Sequence, residues 1–259
     1  VKMKGKLLKD IVQYFIWESG YEISLPKSYE ALRELYVVFV TIREPKPIKD
    51  EVLKWEDAYL QLSLQEKKIT DASKLDLIRP SIVLWQGDIT TLKCDVIVNA
   101  GNHQGLGCFN PRHRCIDHMI HLNAGMRLRL ECQSILQGRE IPDGKMIVCD
   151  GYNLPCQKVI TTVGPQIQGR VKEKDKKALA QCYQNALCYA IEHHYKSIVF
   201  PCISTGLFGY PIKEAKFVAY EAVLEVLAQY RTNITVIFDV FSKEDYDEYY
   251  ELFQSKKVD

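Results

Sequence analysis

The sequence predicts an α/β fold: a three-layer α/β/α sandwich around a mixed sheet, preceded by a helical extension. Three observations carry this. From Ile82 onward, short apolar runs alternate with long amphipathic stretches, as strands do with their crossover helices. Residues 1–75 show only helical spacing, which assigns 1–75 to the extension and 76–259 to the main domain. Several apolar runs end in glycine-bearing loops, and open α/β sheets bind ligands at such strand ends.

In the extension, Leu7, Leu8, Ile11, Val12, Phe15 and Ile16 recur at helical spacing. Ser28 is an N-cap candidate for the next apolar face, SYEALRELYVVFVTIRE. The prolines of Glu44–Asp50 (EPKPIKD) stop that helix, and another is expected over Glu51–Gln65. In the main domain, strands are expected at Ile82–Asp88, Asp95–Val98, Met146–Tyr152, Lys158–Val163, Ser197–Ser204 and Asn233–Phe241. Between them lie helical patterns: Cys115–Leu136, with a break at Gly125, then 176–195 and 212–230, with a last helix from Lys243. Gly164–Asp175 is expected to be a polar loop. The extension carries no cluster of ligand-type residues and is expected to cap the main domain, the alternative being recognition of a substrate protein.

Charge nearly cancels, with 34 Lys+Arg against 33 Asp+Glu, so no nucleic-acid partner is expected. No apolar run approaches the roughly 20 residues of a membrane span, and no secretory-leader pattern opens the sequence. Of nine scattered cysteines, those outside Cys108 and Cys115 are expected to be reduced, small core residues of a cytoplasmic protein.

The chemistry concentrates in Asn99–Cys115, NAGNHQGLGCFNPRHRC. Three glycines fall within seven residues at a strand end, where they let backbone N–H groups approach an anion. Cys108, His113 and Cys115 offer the thiolate and imidazole ligands that Zn²⁺ prefers, and three ligands leave an open position. Spacing alone leaves chance clustering open as well. Two further loops stand at strand ends: Gly87-Asp88-Ile89, and Ser204-Thr205-Gly206-Leu207-Phe208-Gly209. Glycine loops followed by helices suit a pyrophosphate, and Asp88 could accept a hydrogen bond from an exocyclic amine. Asp117, just after the loop, could cap a helix or orient a water. Asn102 could be a turn residue or a ribose contact. His103, His118 and His121 have no evident partner and are expected on the surface or in a groove.

GDIT (Gly87–Thr90), DVIVNAGN (Asp95–Asn102), VITTVGP (Val159–Pro165) and ISTGLFGYP (Ile203–Pro211) together resemble the macrodomain family, which binds ADP-ribose. More narrowly, GCFNPRHRCID (Gly107–Asp117) resembles the zinc-containing, sirtuin-linked microbial branch of the MacroD-type hydrolases, which also carries an N-terminal helical extension. The resemblance implies a hydrolase that removes mono-ADP-ribose from protein side chains, through an O-linkage such as an Asp or Glu ester. It implies a sirtuin-type ADP-ribosyltransferase as functional partner and a modified protein, such as a lipoyl carrier, as substrate. It further implies that Asp88 and Ile89 meet adenine and that Asn102 meets the distal ribose. Asn99, Ala100 and Gly101 belong to the same binding loop, and Ser204–Gly209 wrap the diphosphate with Phe208 near the ribose. Cys108, His113 and Cys115 would hold Zn²⁺, and Asn102 and Asp117 would be catalytic. Two positions depart from the family pattern: Gly101 (with His103) where NAAN and a small residue are usual, and Thr161 where His is common. A non-catalytic ADP-ribose reader is the alternative function, and a structural zinc knuckle binding nucleic acid or a partner protein is a third.

Overall fold

Three helices come first: α1 (Lys2–Ser19), α2 (Tyr29–Ile42) and α3 (Asp50–Gln65). The structure, a computed structural model, describes residues 2–255; Val1 and 256–259, at the outer ends of the two expected segments, lie outside them. Ser28 caps α2 as expected, its Oγ accepting from Ala31 N–H at 3.2 Å. The three helices bury one shared stripe, among it Leu8, Ile11, Phe15, Tyr36, Phe39, Val52 and Tyr59.

The two-residue strands β1 (Thr70–Asp71) and, after β2 (Ile82–Gln86), β3 (Leu92–Lys93) pair in parallel. There follow β4 (Val96–Ala100), α4 (Ile116–Ala124), α5 (Met126–Leu136), β5 (Met146–Asp150), β6 (Lys158–Thr162) and α6 (Glu173–Glu192). The chain then runs through β7 (Ser197–Phe200), α7 (Ile212–Gln229), β8 (Thr235–Val240) and α8 (Lys243–Ser255). The main sheet has the order β2-β8-β7-β4-β6-β5. All its neighbours are parallel except β5, which runs antiparallel to β6, so the sheet is mixed. Alternate residues face opposite layers. Val96, Val98, Phe200 and Phe238 pack with α6, α7 and α8, whereas Ile97, Val159, Val199 and Ile237 pack with α4 and α5.

Some boundaries differ from expectation for local reasons. The strand Ser197–Ser204 stops at Phe200 because Pro201 has no N–H to extend the ladder. The loop 164–175 is shorter than expected: Asp175 accepts Lys172 N–H at 2.9 Å, so α6 begins at Glu173. The break at Gly125 is complete. Its φ of +92° with ψ near 180° is a glycine-only conformation that separates α4 from α5.

At that break the extension docks. Glu56 of α3 is fully buried; its carboxyl accepts Met126 N–H at 2.8 Å, capping α5, and Tyr36 O–H at 2.8 Å. Burial raises this carboxyl to about 7, the two hydrogen bonds and Arg129 opposing and Asp57 reinforcing the rise. The folded state therefore binds a proton that the unfolded chain has already lost between about pH 4.5 and 7, and stability falls as pH rises through that window. Glu56→Gln can keep both contacts, since its amide can donate to Tyr36 Oη. Its unfolding free energy should lose this slope, worth about 3 kcal/mol at most, in denaturant titrations across the window.

Candidate active site

The five parallel strands all point their C-terminal ends at one edge of the sheet. Along that edge the loops stand in the order Gly87–Asp88 after β2, Phe241 after β8, Ser204–Gly209 after β7 and Gly101–Cys115 after β4. Three strand spacings, about 14 Å, separate the first from the last.

At the β4 end three polar side chains converge. Asn99, the penultimate residue of β4, is fully buried; its Nδ2 donates to Asp117 Oδ1 at 2.8 Å and to Thr161 Oγ1 at 3.3 Å. Asn102 Nδ2 reaches Asp117 Oδ2 at 3.5 Å, and its Oδ1 accepts from Gln104 N–H at 3.0 Å, shaping the loop. Asp117 sits in the first turn of α4, 5 % exposed. Burial raises its carboxyl to about 6, against the pull of the Asn99 hydrogen bond and Arg129. His121 Nε2 stands 3.6 Å from Asp117 Oδ1, too long for a hydrogen bond, and burial lowers His121 to about 3, so the ring is uncharged and the contact is not an ion pair.

Beside this trio, ligand atoms of Cys108, His113 and Cys115 lie within 4.8 Å of one another. Cys108 Sγ is 3.5 Å from His113 Nδ1. Sulfur and nitrogen ligands of one tetrahedral Zn²⁺ lie about 3.5 Å apart, from bond lengths of about 2.3 and 2.0 Å. The donor set and its spacing therefore fit such an ion.

The Ser204–Gly209 loop is built to present backbone amides. Ser204 has φ +66°, an uncommon conformation for a non-glycine residue. Gly209 N–H returns to Gly206 O at 3.0 Å and Tyr210 N–H to Ser204 O at 2.9 Å. Among the described residues no backbone carbonyl takes the N–H groups of Gly206, Leu207 and Phe208. Ser204 Oγ and Asn99 Oδ1 are likewise buried without a protein partner. Gly164 is required here: a Cβ on it would fall 2.1 Å from Ser204 Oγ. At the far end, Asp88 is exposed, with Oδ1 accepting from Thr90 N–H at 3.0 Å and from the Thr90 hydroxyl at 2.7 Å. Ile89 is buried under the turn and can offer the cleft little but backbone. Ala100 pairs with Thr162 at the rim.

The two departures from the family pattern meet in space. A Cβ at Gly101 would lie 2.7 Å from Thr161 Cγ2 and 3.8 Å from Asp117 Oδ1. Gly101→Ala is therefore expected to cost about 1–3 kcal/mol of stability by overpacking. Adding Thr161→Ser, which keeps the hydroxyl bonded to Asn99, should recover most of it in a double-mutant cycle of unfolding free energies.

A family model described as Macro domain matches residues 98–219. A protein-ADP-ribose hydrolase of Staphylococcus aureus (strain MSSA476) is 42% identical over 233 residues, covering 88% of this chain and 87% of that one. The chain belongs to the Macro domain family. Among solved macrodomains, that of Oceanobacillus iheyensis with ADP is 35% identical at a TM-score of 0.61, covering 68% of this chain and 93% of that chain. The Trypanosoma brucei macrodomain in complex with ADP-ribose is 25% identical at a TM-score of 0.65, covering 80% and 91%.

In this macrodomain some residues near the site lie otherwise than the sequence suggests. His118 and His121 are buried, against the expectation of a surface or groove position, because the extension covers α4. His103 has a partner, Asp143 Oδ1 at 2.8 Å. Arg129 reads as one charge in an amphipathic helix, yet it is buried beside the Cys108 loop. Phe241, 86 % exposed, stands next to Gly87–Asp88, since β2 and β8 pair in register up to Gln86↔Val240. Its place directly after an apolar strand was the available clue.

Proposed function

We propose that this macrodomain is a zinc-dependent hydrolase that removes mono-ADP-ribose from a modified protein side chain. The order of loops along the sheet edge carries the reading. An adenine-type amine would meet Asp88, with the exposed Phe241 ring beside it. The diphosphate would take the free N–H groups of Gly206, Leu207 and Phe208. The distal ribose would then lie over Asn102, Phe208 and Asp117, next to the thiolate–imidazole cluster.

Asn102 and Phe208 orient the ribose, and Asn99 holds the Asp117 carboxylate from behind. For attack at the anomeric carbon, Asp117 aligns a water and accepts its proton as the water oxygen bonds to that carbon; the bond from that carbon to the side-chain oxygen breaks, and the protein leaves as its carboxylate. For cleavage at the anomeric carbon, positive charge develops on the ribose ring. Cys108, His113 and Cys115 would hold Zn²⁺, which supplies Lewis-acid polarisation of an oxygen when bound. The linkage this reading favours is an ester on Asp or Glu, laid down by a sirtuin-type ADP-ribosyltransferase. The relative from S. aureus, named as a hydrolase, supports catalysis over mere binding.

The test is release of ADP-ribose from a mono-ADP-ribosylated protein, with elemental analysis of the purified chain. Stoichiometric zinc, with chelator-sensitive release, supports the reading. Tight ADP-ribose binding without release in the zinc-loaded protein would replace it with the reader alternative.

A further inference from the structure

Building on the assignment of the Cys108–Cys115 loop to the active site, we infer that the carboxyl end of α2, in the N-terminal extension, positions that loop. Arg129 and His118 are the positioning residues through which it acts.

The last carbonyls of a helix have no partner within it. At the end of α2 these are taken by another helix: Arg129 Nη1, from α5, donates to Val40 O at 2.8 Å, Thr41 O at 3.0 Å and Arg43 O at 2.8 Å. A cation is favoured at that end by the helix dipole as well. The same guanidinium turns its Nε to Leu106 O at 2.7 Å and lies 4.4 Å from the centre of the Phe109 ring. Leu106 and Phe109 flank Cys108, so one arginine fastens both sides of a metal-ligand position to α2.

A second link reaches the next ligand. His118 Nδ1 contacts the His113 carbonyl, and its Nε2 lies 2.9 Å from Thr41 Oγ1. A carbonyl only accepts, so Nδ1 carries the hydrogen and Nε2 accepts from the Thr41 hydroxyl. Thr41 is buried at the end of α2, one residue from the Val40 carbonyl that Arg129 grips. Two independent bridges thus run from one helix end to the neighbourhoods of Cys108 and His113. Lysine could not replace the arginine here, because a single ammonium cannot reach these carbonyls and cover the ring together.

The test uses the full chain with Thr41→Val, Thr41→Ser and Arg129→Lys. In Thr41→Val and Arg129→Lys, zinc should escape to a chromophoric chelator about tenfold faster or more. Amide exchange over residues 106–114 should accelerate, and kcat for ADP-ribose release should fall with KM little changed. Thr41→Ser, which keeps the hydroxyl, should restore the parent behaviour; a merely structural role would not separate Ser from Val in the chelator and kcat readings. Parent-like loop exchange and kcat in Thr41→Val and in folded Arg129→Lys would overturn the inference. If the parent proves to hold no zinc, the metal reading falls by itself, and loop exchange with kcat still decides the positioning role.

Discussion

Asp117→Ala is expected to slow release of ADP-ribose by about 100-fold or more, the range of a lost general acid–base group, while ADP-ribose affinity changes only several-fold. The carboxyl is buried and aimed by two asparagines, Asn99 of β4 at 2.8 Å and Asn102 of the loop after it at 3.5 Å. Its position near neutrality, about 6, leaves it ionised at pH 7 yet basic enough to take a proton from water. The backbone amides of the Ser204–Gly209 loop, proposed to take the diphosphate, are separate from it, so binding should persist. Release followed by chromatography, with calorimetric titration of ADP-ribose and a melting curve to verify folding, measures the split. An alanine variant with full turnover would falsify the assignment of Asp117.

Cys115→Ser should lose stoichiometric zinc and lower release by a comparable factor; about 3 kcal/mol of lost polarisation is about 100-fold. Burial raises the Cys115 thiol above its usual value, so a thiolate there depends on a cation. Folding should survive, because the loop adds little to the cores built on α4, α5 and the sheet. Elemental analysis and the release assay check both halves, and chelation followed by zinc add-back should reproduce and then reverse the loss in the parent. Undiminished release in a zinc-free variant would remove the metal from the reaction.

Much of this molecule is legible in the sequence because the relevant signals are local. The strand–helix alternation, the Ser28 cap, the break at Gly125 and the three strand-end loops each depend on residues within a few positions of one another. The residues that escaped notice act across long separations. Arg129 meets carbonyls 86–89 positions away, Thr41 meets His118 across 77, and Glu56 meets Met126 across 70. No periodicity marks such partners: a buried arginine reads like any helix charge, and a histidine covered by another segment reads like one in a groove. The contact of Gly101 with Thr161 escaped for the same reason. Each reads as an isolated oddity, and only the Asn99↔Thr161 register of β4 and β6 shows them to be neighbours.

That shared space has an evolutionary consequence. With the Thr161 methyl already occupying it, position 101 cannot gain a side chain alone: restoring alanine there before trimming 161 crosses a destabilised intermediate, while the reverse order does not. Ancestry along this branch is thus expected to be directional, with the smaller partner at 161 preceding every gain of a side chain at 101.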